Sequence, residues 1–189
     1  MKTLPPLILA SASSRRADLL RQMDLDFEAV PAEVTEVVGD HLTPREICQV
    51  NAFHKARAVA RQHPNKLVLG ADTVVCLQAQ IFGKPASLSQ AAEMLSMLQG
   101  RAHEVVTGVC LIHGRGHWKR LFAESTIVWF RRLTDRQIAD YLERIDPLDK
   151  AGGYAIQEHG DLIVLKISGS FSNVVGLPAE RLQEELAAL

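Results

Sequence analysis

Asp72 is the first candidate for chemistry in this sequence, because it ends an apolar, strand-like segment, residues 68–71, that runs through Gly70. A carboxylate at the carboxyl edge of a sheet often holds a ligand or a metal ion, since the strand fixes its position and the following loop leaves room. The sequence therefore predicts that Asp72 contacts a ligand or a metal at the end of a strand.

A second candidate is the segment of small residues and paired cations at residues 11–16, SASSRR, which follows another apolar strand. Arg15 and Arg16 fall in the first turn of a predicted helix, where they could simply be solvated. Cations at a helix start oppose the helix dipole, unless an anion occupies the same place. This position favours an anion site.

Two lysines have a weaker claim when they are considered alone. Lys84 lies in the turn-forming sequence FGKP at residues 82–85, where a surface-loop lysine is the simpler interpretation. Lys55 lies inside a long predicted helix, and most helical lysines face water. Neither lysine is assigned a role on its residue type alone.

Carboxylates close to a polyphosphate need a compensating cation. Glu33 and Glu36 follow the second predicted strand, and one of them could join Asp72 in an oxygen-rich site suited to Mg²⁺ or Mn²⁺. Without a cation, each close carboxylate–phosphate pair would repel by roughly 4 kcal/mol at an effective dielectric constant of about 20. The sequence thus predicts a divalent metal held by Asp72 together with Glu33 or Glu36.

Other classes of site find little support. His113 and His117 flank a predicted turn, but no third ligand lies at zinc-site spacing, so an exposed hairpin tip is the better interpretation. The sequence also lacks the common P-loop, dinucleotide-binding, metalloprotease and serine-hydrolase motifs. These absences narrow the possible functions without naming one.

Composition favours a cytoplasmic protein with one functional domain over residues 1–189. The 21 basic and 22 acidic residues nearly balance, which gives no general attraction to nucleic acid or to a membrane surface. The three cysteines, Cys48, Cys76 and Cys110, are far apart and are predicted to be reduced core thiols. The N-terminus has the wrong order of features for a signal peptide, and no run is long enough to span a membrane.

Apolar segments alternate with helical patterns, which predicts an α/β fold. Thr43 and Thr134 each begin a capping-box pattern, and Ser89 is predicted to cap a third helix. The predicted strands are residues 7–10, 27–30, 66–71, 74–77, 104–112, 118–130 and 162–167. The predicted helices are residues 16–23, 44–63, 90–98 and 135–144, with a last helix opened by Pro178.

The sequence resembles the Maf family of nucleoside triphosphate pyrophosphatases nearly end to end. The motifs that carry the resemblance are SASSRR at 11–16, HKARAV at 54–59, GADTVV at 70–75, GKP at 83–85, GRAHEVVTGV at 100–109, DPLDKAGGYAIQ at 146–157 and VVGLP at 174–178. Within the family, AGGYAIQ resembles the branch that hydrolyses dTTP and UTP. The resemblance implies a mixed, curved sheet with helices around a central cleft, as in Maf and ITPase-like proteins, and a homodimer.

The resemblance also implies roles for individual residues. Asp72 takes the place of the family's catalytic carboxylate. The family's specificity positions match Arg15, Thr73 and Gln157. Lys55, Lys84 and Glu36 match polar residues around its phosphates and metal, and Ser13 belongs to its substrate-binding loop.

Three departures from the family pattern bear on these roles. Ser14 replaces a proline that is usual before the arginine pair, His54 replaces an acidic residue, and Glu158 with His159 replaces a more glycine-like sequence. None removes a proposed catalytic group.

The implied reaction is hydrolysis between the α and β phosphates, with Asp72 as base or metal ligand. It would limit the incorporation of modified nucleotides and be linked to cell-division arrest. The alternatives are a pyrophosphatase for another or modified nucleotide, and a nucleotide-sensing division regulator that needs no turnover.

Overall fold

The fold is a seven-stranded mixed β-sheet with helices, seen in a computed structural model that describes residues 5–39, 41–78 and 80–189. The strand order is β2-β1-β3-β5-β6-β7, and β4 pairs with β3. The strands are β1 (Leu7–Leu9), β2 (Phe27–Ala29), β3 (Leu67–Leu77), β4 (Gln80–Phe82), β5 (Ala102–His113), β6 (Trp118–Phe130) and β7 (Val164–Ser168). The predicted α/β class with a mixed sheet is confirmed.

All five predicted helices are found in the predicted order, and the described residues form further short ones. The helices are α1 (Ser14–Gln22), α2 (Pro44–Ala60), α3 (Leu88–Leu98), α4 (Asp135–Leu142), α5 (Gly160–Ile163), α6 (Phe171–Val175) and α7 (Ala179–Ala187), with a short 3-10 helix at Ala151–Gly153. The sequence did not predict α5, α6 or the 3-10 helix, which are too short for a clear periodic pattern.

Side-chain caps fix where the helices α2, α3 and α4 begin. Thr43 and Thr134 both form the predicted capping boxes, with Glu46 and Gln137 as the reciprocal partners. The prediction for α3 is wrong: Ser87, not Ser89, caps the helix, by accepting a hydrogen bond from the Gln90 amide. Ser87 has extended backbone angles, as an N-cap needs, whereas Ser89 already lies inside the helix.

The mixture of strand directions is explained by the pairings on either side of β3. The strand β1 pairs in parallel with both β2 and β3, with Leu9 opposite Leu69. In contrast, β4 pairs antiparallel with β3, and β7 pairs antiparallel with β6. The parallel part of the sheet therefore ends near Leu69, while β3 continues for eight more residues to Leu77.

The chain forms two compact units, and three strands contribute residues to both. Unit 1 comprises residues 1–72, 107–124 and 176–189, and unit 2 comprises residues 73–106 and 125–175. A core of small and β-branched residues in unit 1 includes Ile8, Ala52 and Val68. The core of unit 2 is richer in large side chains, such as Phe130 and Tyr141. The prediction of one functional domain over 1–189, and that of a central cleft, stay predictions.

Two glycines bring helix α2 directly against the sheet in unit 1. A Cβ atom at Gly70 of β3 would collide with the backbone of Ala52 and Ala56, and one at Gly108 of β5 would collide with the backbone of Cys48. Only glycine permits so close an approach between a helix backbone and a strand. This contact sets the register between α2 and β3, on which the position of the site residues depends.

Within the residues that the structure describes, none of the helices has the length and apolarity that crossing a membrane requires.

Candidate functional site

Asp72 is buried in the middle of β3, and the prediction that it ends a strand is wrong. Residues 74–77 are apolar and continue the same strand, because they pair with β4 on one side. The sequence suggested that β3 itself ends at Asp72. Instead it is the neighbouring strand β1 that ends nearby, with its last residue opposite Leu69. Asp72 lies three residues past that point, where the parallel sheet no longer covers it.

Lys55 joins the two carboxylates that the sequence predicted as metal ligands. Its Nζ lies 2.7 Å from Asp72 Oδ1 and 2.6 Å from Glu36 Oε1. The side chains of Lys55 and Asp72 are only 13% and 8% exposed, whereas that of Glu36 is 50% exposed. Unlike most helical lysines, Lys55 is thus a partly buried cation shared by two acidic groups.

The close packing at Gly70 explains why Lys55 reaches Asp72. Side chains two residues apart on a strand lie on the same face, so Asp72 projects on the face where Gly70 meets α2. Gly70 touches the backbone of Ala52 and Ala56. The residues immediately before these two alanines are Asn51 and Lys55, and both contact Asp72.

Asn51 is a site residue that the sequence reasoning missed. Its Nδ2 donates to Asp72 Oδ2 at 3.1 Å and to the Val37 carbonyl at 3.1 Å, while its Oδ1 accepts from the Val37 amide at 2.7 Å. One buried amide therefore orients Asp72 and holds the backbone next to Glu36. Its spacing of four residues from Lys55, on the same helical face, is the signal that could have revealed it.

Arg16 brings a second cation to this cluster. Its Nε donates to the Gly176 carbonyl at 2.8 Å and its Nη1 donates to Ser11 Oγ at 3.2 Å. Burial lowers the pKa of the Arg16 guanidinium, and the charge of Asp72 opposes that shift. The guanidinium still stays protonated near neutral pH, since arginine begins from so high a value.

Arg15 and Ser13 lie where the sequence placed them, at the start of α1. Ser13 is the N-cap residue, its amide donates to Ser11 Oγ at 3.2 Å, and Arg15 is partly buried in the first turn. That turn contains no acidic residue. The positive end of the helix and both arginines therefore add to one another in favouring an anion.

The donor atoms around Lys55 also fit a divalent cation. Oxygens of Asp72 and Glu36 both lie within 2.7 Å of one positively charged atom, so the two carboxylates are already placed to share a cation. In the described part of the chain, no group of three or more histidine, cysteine, aspartate or glutamate residues could hold a metal ion. Two carboxylates suffice for Mg²⁺ when phosphate oxygens and water complete its coordination.

The remaining predicted residues, Thr73, Lys84 and Gln157, belong to unit 2. The register between β3 and β4, with Val75 opposite Phe82, directs the chain after β4 back towards Thr73. Lys84 is exposed two residues beyond β4, and its neighbour Gly83 accepts a hydrogen bond from the Gly152 amide at 3.0 Å. This bond ties the Lys84 turn to the segment that leads to Gln157.

The structure thus gathers the predicted residues into two groups. Asp72, Lys55 and Glu36 are in direct contact within unit 1, and Gln157 is an exposed turn residue of unit 2. The boundary between the units falls between Asp72 and Thr73, which are neighbours in β3. In unit 1 a buried carboxylate contacts Lys55, and the start of α1 carries Arg15 and Arg16, an arrangement that suits an anionic ligand.

Comparison with known proteins identifies the class. A family model described as "Maf-like protein" matches residues 6–189. A protein of Bacillus mycoides (strain KBAB4) named "dTTP/UTP pyrophosphatase" is 46% identical over 180 residues, which cover 95% of this chain and 93% of that protein. The chain belongs to the Maf family, and the predicted resemblance is confirmed.

Two further relatives extend the comparison beyond Bacillus. Proteins with the same name from Geobacillus sp. (strain WCH70) and Akkermansia muciniphila are 43% and 41% identical. They cover 97% and 98% of this chain, and the matches span 97% of each relative. Among solved structures, a HAM1 protein from Coxiella burnetii matches with 16% identity and a TM-score of 0.45, over 69% of this chain and 75% of that one. A likeness that weak carries no argument about fold or function.

Proposed function

We propose that this chain is a nucleoside triphosphate pyrophosphatase that hydrolyses dTTP and UTP to the monophosphate and pyrophosphate. The observation that carries the proposal is the contact of Asp72 with Lys55, which in turn holds Glu36. Relatives that cover nearly the whole chain bear the name dTTP/UTP pyrophosphatase. Asp72 and Lys55 are both largely removed from solvent, and burying charges is costly, so a purely structural role for this pair is the weaker explanation.

Asp72 has the surroundings of a group that orients an attacking water. Lys55 contacts one of its oxygens and Asn51 the other, so the carboxylate plane is fixed before substrate arrives. Positioning of this kind contributes much of the catalysis of phosphoryl transfer, in which the protein itself forms few covalent bonds. Asp72 either orients the water that attacks the α-phosphorus or accepts its proton, while pyrophosphate leaves.

The cations of the site offset the negative charge of the triphosphate. Lys55 neutralises the repulsion between phosphate oxygens and the pair Asp72 and Glu36, while Arg15 and Ser13 at the start of α1 bind phosphate oxygens. Lys84 is proposed as a further phosphate-binding cation because it matches a family position around the phosphates. Asp72 and Glu36 hold the divalent metal, Mg²⁺ or Mn²⁺, which when bound supplies positive charge against the phosphate oxygens.

The base is recognised by Gln157 together with Arg15 and Thr73, the positions that match the family's specificity residues. The Gln157 amide offers one donor and one acceptor, which complement the N3–H and O4 edge of uracil and thymine. Guanine presents a similar pair, so the pyrimidine preference depends chiefly on the family relationship. A homodimer, a cytoplasmic location and a link to cell-division arrest remain predictions.

The test is pyrophosphate release from a panel of canonical and modified nucleoside triphosphates, with Mg²⁺, with Mn²⁺ and with chelator. We expect metal-dependent release from dTTP and UTP, and a loss of about 10²–10⁴-fold in D72N. D18N is the matched control: Asp18 lies on α1, is exposed and pairs only with Arg21 in the ion pairs described, so its turnover should equal that of the wild type.

The outcomes separate the alternatives. A strong preference for a guanine or a modified nucleotide would replace the substrate assignment with another Maf-type pyrophosphatase. Binding of dTTP without release from any nucleotide would favour a nucleotide sensor. Turnover in D72N equal to that of the wild type would remove Asp72 from the mechanism.

A further inference from the structure

The Tyr141 hydroxyl grips both backbone hydrogen-bonding groups of a single residue, Ala155. It donates to the Ala155 carbonyl at 3.0 Å and accepts from the Ala155 amide at 3.1 Å. A strand partner would satisfy these two groups in the same way, but here a side chain does so from helix α4. Ala155 lies two residues before Gln157, the residue proposed to read the base.

The anchor itself is rigid. Tyr141 is among the most completely buried large side chains, and its ring packs in the core of unit 2. Helix α4, which carries it, begins at the Thr134 capping box. Burial raises the pKa of Tyr141 to about 12, so its hydroxyl keeps the proton that it donates at any physiological pH.

The segment that ends at Gln157 is also held at other points. Tyr154 lies fully in the core, with its hydroxyl 2.8 Å from His103 Nε2. On the far side of Gln157, Glu158 Oε1 lies 3.5 Å from Nζ of the buried Lys150. Between these points Gln157 occupies a turn with its side chain exposed. The hydrogen bonds of Tyr141 hold the backbone itself, two residues before Gln157.

We propose that Tyr141 is a positioning residue for base recognition: its hydroxyl fixes the backbone at Ala155, and so sets where the Gln157 amide meets the pyrimidine. The inference rests on the proposed function. It follows that Tyr141 influences affinity for the base without touching the substrate, and that its effect disappears when Gln157 is removed.

The experiment compares Y141F with the wild type. We expect the KM for dTTP and UTP to rise about tenfold, because Gln157 is no longer held where it binds the base. The value of kcat should change by less than about twofold. Inorganic tripolyphosphate, which has no base, serves as a competitive inhibitor that reports on the phosphate site alone. Its inhibition constant should not change.

A double-mutant cycle with Q157A tests whether Tyr141 acts through Gln157. We expect Y141F to add less than about twofold to the KM of Q157A. The matched control is Y154F, which removes the other buried tyrosine hydroxyl of the chain without touching the Ala155 backbone. Its KM for dTTP should stay within about threefold of the wild type.

Two results would overturn the inference: equal changes in the tripolyphosphate constant and the KM for dTTP, or additive effects of Y141F and Q157A. If Y141F does not fold, hydrogen exchange of the Ala155 amide is measured in the wild-type protein instead. Exchange as fast as that of an open loop would show that Tyr141 does not hold the Ala155 backbone. Failure of the proposed function is a separate outcome, because it appears as absence of dTTP and UTP turnover in the wild type.

Discussion

Helix α2 and helix α4 each carry a buried side chain that holds the backbone beside a proposed site residue, but in different surroundings. Asn51 on α2 grips both backbone groups of Val37, next to Glu36. Tyr141 on α4 grips both backbone groups of Ala155, close to Gln157. In both places one polar side chain forms the two backbone hydrogen bonds that a neighbouring strand would otherwise form.

The difference between the two regions is charge. Asn51 also contacts Asp72, in a cluster that includes Lys55 and Glu36. Tyr141 lies in an apolar core and hydrogen-bonds only neutral backbone groups among the bonds described, and the ion pair of Glu158 with Lys150 lies further along the same segment. The charged cluster suits the phosphates of a substrate, whereas the contacts of Tyr141 with Ala155 are hydrogen bonds inside an apolar core. Changes in unit 1 should therefore affect turnover most, and changes in unit 2 should affect stability or base selection.

The largest effect should come from removing the shared cation. In K55M, Asp72 and Glu36 lose the charge between them, so we expect kcat/KM for dTTP to fall about 10²–10³-fold. Leaving Asp72 buried without its partner should also lower the free energy of unfolding by about 3 kcal/mol. Steady-state kinetics and urea denaturation measure the two effects.

The control for Lys55 is Lys66, which forms an equally short ion pair, 2.6 Å from Glu28, at the surface. K66M should keep full turnover and lose less than about 1 kcal/mol, because exposed pairs contribute little. If K55M and K66M behaved alike, the charged cluster would have no special role.

The next largest effect should be a pH dependence that originates in unit 2. Burial lowers the pKa of His103 to about 4, against about 6.5 in an unfolded chain. Between these values the unfolded chain binds the additional proton, so the free energy of unfolding should fall as the pH drops from about 6.5 to about 4. The loss amounts to about 3 kcal/mol at 1.4 kcal/mol per pH unit.

Denaturation curves over this pH range measure the effect. H103Q should lose this part of the acid sensitivity, while H41Q, a change at an exposed histidine, should retain it. An unaltered acid profile in H103Q would show that the neutral core of unit 2 is not what makes the fold acid-sensitive.

The smallest effect on turnover should come from replacing a buried asparagine in each unit, Asn51 in unit 1 and Asn173 in unit 2, by alanine. N51A removes three hydrogen bonds in the charged cluster, and we expect turnover to fall about tenfold as Glu36 and Asp72 lose their positions. Asn173 of unit 2 is also buried and donates to the Val105 carbonyl at 3.0 Å and to Thr126 Oγ1 at 3.1 Å. Both alanine variants should lose about 2 kcal/mol of stability.

The contrast lies in the kinetics: N173A should keep near-normal turnover at a temperature where it is folded. Equal losses of turnover in N51A and N173A would mean that stability alone explains the effect of Asn51. Thermal melts and dTTP assays on the same samples distinguish the two cases.

Much of the fold was readable from local patterns, because their causes are local. Thr43 and Thr134 each predict where a helix begins, because a capping box involves residues only three apart in the chain. The apolar runs at β1, β5 and β6 predicted strands within about two residues of their observed bounds. Local patterns could not place the end of β3, since its continuation through Asp72 depends on pairing with β4.

The sequence by itself determined the family and the identity of the candidate residues, because motifs such as GADTVV and AGGYAIQ are properties of the chain order. Only the tertiary structure decided the contacts. Lys55 is a partner of Asp72 and Glu36 because Gly70 lets α2 approach β3, and Asn51 and Tyr141 gained their roles from backbone groups 14 residues away. Such contacts depend on how helices pack against strands, which no single segment of the chain encodes.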